Sequence, residues 1–175
     1  MTFSLYDAVV PSYRQILGAL IRLTNKAQAF CDDGGLPYAD ILDARLAADM
    51  HPFPYQIKSA VVHSVGAIEG IRKGSFSPDL TPSPASFAAL QERLATADAW
   101  LAAIDPAEVN GFIGCDMRFV FGDRHVDYRA ENFLLSFSQP NFYFHATTAY
   151  DLIRCKGVPI GKGDFLGRVR KDRPA

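Results

Sequence analysis

Three side chains, His63, Asn141 and His145, hold the richest chemistry in the sequence. Asn141 and His145 are four residues apart, and residues at that spacing share one face of an α-helix. His63 belongs to a different helical stretch, inside the apolar run AVVHSVGAI. A fold that brings the two stretches together sets two imidazoles and an amide in one pocket. Imidazole is a common ligand for zinc, nickel and iron, and a mononuclear catalytic zinc site generally uses three protein ligands plus a water. His63 and His145 supply two. Asn141, one turn before His145, stands in the third position, but an amide oxygen is a neutral and weak ligand for a first-row transition metal. Asp49 and His51 are alternative third ligands if their loop folds over the helices. The expected pocket is therefore His63, Asn141, His145, Asp49 and His51. The expected cofactor is a divalent zinc or nickel ion held by His63 and His145, or none.

A plainer reading stands beside this one. A histidine on an apolar helix face is more often a hydrogen-bonded core residue than a ligand. His63 and His145 can hold each other, or Tyr143, Asn141, Gln56 or a backbone carbonyl. Asn141 follows Pro140, and its amide can satisfy carbonyls that the proline leaves without a donor. His125 falls on an expected hairpin and should face solvent. Cys155 lies near a helix C-terminus, where the dipole opposes a thiolate and argues against a nucleophile. Asp7 and Arg14 could pair on the first helix, on what is by default a solvated face. The sequence has no glycine-rich phosphate loop, no CxxC, no HExxH and no nucleophile elbow.

The elements that must position these residues follow from apolar spacing. Residues 3–30 read as a helix, with Leu5, Val9, Ile16, Leu17, Leu20, Leu23 and Ala27 near a 3.6-residue period. Pro11 should kink its first turns or mark an early break, and Asp32-Asp33-Gly34-Gly35 should stop it. A short helical piece fits residues 38–47. Pro54 is suited to open a second long helix that runs to Lys73, with Gly74 as its cap. Ser83 and Pro84 are expected to open the third, which Asp105-Pro106 ends. Alternation around Gly122-Asp123 predicts a β-hairpin at about 115–129. Helix returns from Ala130 to Cys155, bent at Pro140, and residues 157–175 read as an extended tail. Four long helices in one small domain must bury their apolar stripes against each other, as a four-helix bundle does.

The totals narrow the partners. At 175 residues the chain fits one domain, 1–175, and its 49% hydrophobic content can fill a core. The net charge of −1 points to neither nucleic acid nor an anionic membrane, and the basic residues are scattered apart from a small tail, Arg168 to Arg173. The three cysteines are too few and odd in number for a disulfide framework, which suggests a reducing compartment. The N-terminus does not read as a signal peptide, and no stretch approaches the roughly 18 apolar residues of a membrane span. The expectation is a cytoplasmic protein acting on an unknown small molecule. The aromatic group Phe133, Phe137, Phe142, Tyr143 and Phe144 is expected to be core or the contact of a homodimer.

Three segments resemble a known group: LYDAVVPSYRQILGAL at the start, DMHPFPYQIKSAVVHSVGAIEGI in the middle, and NFYFHATTAYDLIRCKGVPIGKGDFLG towards the end. With them the chain is similar to the DinB/YfiT-like metalloenzyme superfamily, and most similar to a branch known only as a domain of unknown function. The resemblance implies an all-α, DinB-like four-helix bundle in up-down-down-up order, with a small hairpin before the last helix, often dimeric. In metal-binding members one histidine comes from the second long helix and two, four apart, from the last. His63, Asn141 and His145 match those positions, so the amide replaces the middle ligand. Relatives that hold the metal include thiol-dependent transferases, in which the metal binds and activates a small thiol. The resemblance thus implies a metal-dependent thiol transferase-like or hydrolase-like enzyme. The alternative is a non-catalytic, metal-free module that binds a small ligand or dimerises. As an enzyme it would hold the metal with the two histidines, with Asn141 or Asp49 completing the site.

Overall fold

In the computed structural model, which describes residues 4–171, the first helix opens at Ser4. The Ser4 hydroxyl accepts from the Asp7 N–H and the Asp7 carboxylate accepts from the Ser4 N–H, a capping box that satisfies two otherwise orphaned donors. Asp7 is spent on this cap and does not pair with Arg14, whose guanidinium instead meets Asp98 at 3.0 Å. Helix α1 (Leu5–Gly34) runs unbroken through Pro11. Val9, Val10, Tyr13, Leu17 and Leu20 are buried on one side of it, and that packing outweighs the hydrogen bond the proline removes. The expected stop falls at its last glycine: Gly35 caps the helix at φ 60, a left-handed conformation that glycine adopts without strain. Residue 3, where the expected helix began, lies outside the described residues.

The short helix α2 (Ala39–Leu42) leads to a second long rod. That rod is α3 (Phe53–Val61), a π-helical segment (Val62–Gly66) and α4 (Ala67–Lys73), capped at Gly74 with φ 73. Pro54 sits in its first turn as the sequence predicts. Helix α5 (Phe87–Ala102) is capped by Ser86, whose hydroxyl accepts from the Ala89 N–H at 3.2 Å, and not by Ser83. The buried stripe Phe87, Leu90, Leu94, Ala97 and Leu101 starts immediately after Ser86, so the helix begins where burial begins. Asp105 caps a further helix, α6 (Pro106–Gly111), that the sequence reading did not include.

The hairpin forms as expected from β2 (Asp116–Phe121) and β3 (Arg124–Arg129), joined at Gly122-Asp123 with Gly122 at φ 58. A short strand β1 (Ser75–Phe76) adds to β2 in parallel, making a three-stranded sheet where only a hairpin was expected. β1 crosses α4 so closely that a Cβ on Gly70 would stand 3.1 Å from both the Ser75 carbonyl oxygen and the Phe76 Cβ. The last rod is α7 (Ala130–Asn132), a second π-helical segment (Phe133–Ser138) and α8 (Gln139–Cys155). The bend expected at Pro140 takes the form of this widened turn just before it, where the proline's missing N–H interrupts the ladder. The tail is not extended throughout: α9 (Lys162–Leu166) folds back onto α1.

The four long helical stretches pack on one another, α1 against α5 and α8, and α3 against α8 and α5. They close around one core that includes Tyr13, Leu17, Phe53, Ile57, Phe87 and Phe142. The aromatic group of the last rod divides. Phe133 and Phe142 are fully buried, Phe137 packs at the edge of the core, and Tyr143 and Phe144 are exposed. Among the described residues no helix is long and apolar enough to cross a membrane.

Candidate functional site

The two π-helical segments face each other and carry one side of the site. His63 lies in the first and Ser138 ends the second. The Ser138 hydroxyl donates to the His63 carbonyl at 2.9 Å, which ties one widened turn to the other. The same oxygen lies 3.4 Å from His63 Nδ1. Because its hydrogen is committed to the carbonyl, it acts as the acceptor towards the ring. His145, on α8, has Nδ1 at 2.7 Å from Oε1 of buried Gln56 on α3. The Gln56 amide nitrogen donates to the His51 carbonyl at 2.9 Å, which orients its oxygen towards the imidazole. Both arrangements favour the tautomer with the proton on Nδ1, which leaves Nε2 as an acceptor.

The His63 and His145 rings lie nearly parallel, with centroids 5.8 Å apart and an interplanar angle of 15°. Phe76 and Phe137 flank His63, and Phe144 meets His145 edge-on. Burial pulls the His63 pKa down to about 4, with the charge of His145 adding to the shift. Burial does the same to His145, also to about 4, with His51 adding. Both are neutral imidazoles at neutral pH. The wholly buried Tyr13 approaches Ser138 from α1 without completing a hydrogen bond, and burial raises its phenol well above the ordinary range despite Ser138. Nothing in its spacing marked Tyr13 as different from the apolar stripe around it.

The structure brings the His63 and His145 rings together. Asn141 lies one turn before His145, but its Nδ2 donates to the Phe137 carbonyl at 2.7 Å. The amide serves the backbone beside Pro140, as the plainer reading had it. Asp49 and His51 are exposed on the loop before α3. His51 stacks on Tyr55 at 3.8 Å, and Tyr55 in turn meets His145 edge-on at 6.0 Å. Among the described residues no three His, Cys, Asp or Glu side chains gather closely enough to hold a metal ion. Asn141 has donated only its nitrogen, so its amide oxygen is the most it can offer, and two imidazoles with one neutral, weak oxygen donor are a poor fit to a zinc or nickel site. His125 is exposed on β3, as expected, and Cys155 is exposed at the end of α8.

Rings held neutral by burial make the fold sensitive to acid. Each histidine titrates near 6.5 when unfolded and near 4 when folded, so between those values the unfolded chain binds more protons. Their contribution is complete above the unfolded value and is lost as pH falls towards the folded one. The bound on each is about 3 kcal/mol, and the coupled pair gives less than twice that. The urea midpoint is expected to drop steadily from neutral pH into this acid window, and His63→Gln should flatten the slope. A parent midpoint that stays level across the window contradicts the burial argument.

The family described as "Domain of unknown function (DUF1993)" matches residues 5–166. Among solved structures, the crystal structure of a DinB family member protein from Shewanella denitrificans superposes with a TM-score of 0.80 at 26% identity, covering 97% of this chain and 96% of that one. No curated protein matches the chain.

Proposed function

The chain belongs to the DUF1993 family, a domain of unknown function, and from that premise we propose that its His63–His145 pair forms a metal-independent binding site for a small polar molecule. One observation carries this reading. Gln56 and Ser138 lie against the two Nδ1 atoms, so two neutral, near-parallel rings are left with Nε2 as their acceptors. A neutral or cationic molecule with two N–H or O–H donors complements that pair, and Phe76, Phe137 and Phe144 supply apolar walls. The frame we assign to the site is a DinB-like bundle in up-down-down-up order, a single domain over 1–175, paired as a homodimer in the cytoplasm. A dimeric mass in solution scattering is the expected result for the pairing, and a monomeric mass removes it.

A metal-dependent thiol transferase-like or hydrolase-like enzyme is the second reading. The Nδ1 partners favour it, because metal-ligating histidines are oriented in the same way by a group on the other nitrogen. It needs a third ligand, and with its Nδ2 donated to the Phe137 carbonyl Asn141 has only a neutral amide oxygen to offer. Metal content separates the two. Tag-free protein from zinc- and nickel-supplemented growth is expected to carry far less than stoichiometric metal, and nitrogen NMR should show both rings neutral with the proton on Nδ1. Near-stoichiometric metal that falls on His63→Ala overturns the first reading in favour of the second. A panel of small amines and amides is expected to raise the melting temperature of the parent but not of His63→Phe; equal shifts in both put the ligand elsewhere.

A further inference from the structure

Helix α1 carries Arg14, Gly18 and Arg22 at four-residue spacing, so all three share one face. The glycine in the middle leaves open floor between the two arginines, since a Cβ there would meet only Arg22 Nη1, at 3.7 Å. The tail returns along this face. The Gln15 amide donates to the Leu166 carbonyl at 2.9 Å, and Arg170 Nη2 donates to the Ser12 hydroxyl at 3.3 Å. Between them Gly167 turns at φ 62, packed so tightly on Arg22 that any side chain there would collide with the guanidinium. Arg168 and Arg170 thereby join Arg14 and Arg22 around one cleft of about 380 Å³, with Tyr6 and Pro11 on its apolar side.

The charge of this cleft is unbalanced. Among the described residues that line it Asp98 is the one carboxylate, and it is already engaged by Arg14 at 3.0 Å. Asp164 lies within electrostatic reach of Arg22, but it holds Lys26 at 2.7 Å and the Gly161 N–H at 2.8 Å. Among the described residues Arg22, Arg168 and Arg170 have no carboxylate at ion-pair distance. A chain of net charge −1 has thus gathered an excess of cations in one small concavity. Unpaired like charges repel, and an anion between them reverses the sign of that interaction. Guanidinium forks match phosphate oxygens two at a time, and a dianion neutralises more of the excess than a carboxylate can. The cleft is larger than a bare phosphate, and its apolar side suits an attached organic group.

We propose that the cleft between α1 and the returning tail binds the phosphoryl group of a small organic phosphate. The site is separate from the histidine pair and does not depend on how that pair works. The test is calorimetric titration of the full chain with phenyl phosphate, inorganic phosphate and acetate at moderate ionic strength. Phenyl phosphate is expected to bind, and Arg168→Gln with Arg170→Gln should weaken it at least about tenfold. Both positions are exposed on the tail, so the fold should survive the change. Gly18→Leu keeps every charge but fills the floor, and should weaken binding comparably. Inorganic phosphate binding as tightly as phenyl phosphate supports the site with free phosphate as its occupant. No heat with any phosphate, equal affinity for acetate, or unchanged affinity in the double variant overturns the proposal. Binding of an oligonucleotide or anionic vesicles that phenyl phosphate cannot displace overturns it as well.

Discussion

Asn141→His is expected to convert this chain into a zinc-binding protein. The substitution places a third imidazole one turn before His145, whose ring centroid stands 5.8 Å from that of His63. Two of the three rings are pre-oriented by Gln56 and Ser138, so little ordering remains to be done when a metal arrives. Replacing a neutral, weakly ligating amide by an imidazole should tighten zinc at least about 100-fold, or about 3 kcal/mol. The apo protein should lose about 1 kcal/mol, because the Phe137 carbonyl loses its donor. Bound zinc should more than restore that loss. Competition against a chelating dye would measure the affinities of the parent, Asn141→His, and Asn141→His combined with His63→Ala. Equal affinity in parent and single variant means that the three positions do not converge, and the positional match to metal-binding relatives then has no geometric content. Tight binding that survives His63→Ala would place the metal elsewhere.

The histidine pair was legible because two independent regularities agreed. Helical spacing put Asn141 and His145 on one face of the last rod, and the run around His63 was apolar. Gln56 and Asn141 were visible only as possible partners, since which of several neighbours takes a proton depends on ångström distances that spacing does not encode. Tyr13 and Ser138 carried no signal at all, being a tyrosine in an apolar stripe and a serine in a helix. The π-helical segments were invisible for a similar reason. Each keeps helical dihedrals and apolar spacing while adding one residue to a turn, so periodicity over a short window barely changes.

The misplaced boundaries have a common cause. Ser83-Pro84 and Ser86 both carry a capping signature, and local chemistry alone does not choose between them. Burial does, because the stripe begins at Phe87. Strand β1 has only two residues, Ser75 and Phe76, and exists because β2 lies beside it. Likewise α9 is held by Lys26 and Gln15 from α1, more than a hundred residues away in sequence. Elements made by partners distant in the chain leave little local pattern to read.

Lys58→Ala is expected to produce the largest loss of stability of any single substitution considered for this chain. Lys58 is 1% exposed on α3, yet it carries a charge. Its ammonium donates to the carbonyls of Asp79 and Thr81 and lies 3.2 Å from the Asp79 carboxylate. Asp79 also accepts from the Thr81 N–H at 2.9 Å and from its hydroxyl at 2.6 Å. Burial pushes the Asp79 carboxyl up, but the bonds from Thr81 and Lys58 outweigh it and hold the group below its ordinary range. Removing the ammonium leaves two carbonyls and a carboxylate facing a cavity on the side of α3. Breaking a buried pair in this way costs about 3–5 kcal/mol. The lower end applies, because Asp79 can turn towards water. Lys58→Met fills the cavity but not the polar demand and should recover only part of the loss; adding Asp79→Asn should recover more, giving a coupling energy that a double-mutant cycle would measure. The damage should also spread by a definite route. Lys58 ties residues 77–83, a connector rich in Ser and Pro, to α3, and this connector continues from β1, which pairs with β2. Hydrogen exchange is therefore expected to rise first in residues 75–81 and then in the partner strand, before the long helices. A loss below about 1 kcal/mol in urea unfolding, or exchange that rises in α3 while the connector stays protected, would show that the connector is held by its apolar contacts and not by the buried charge.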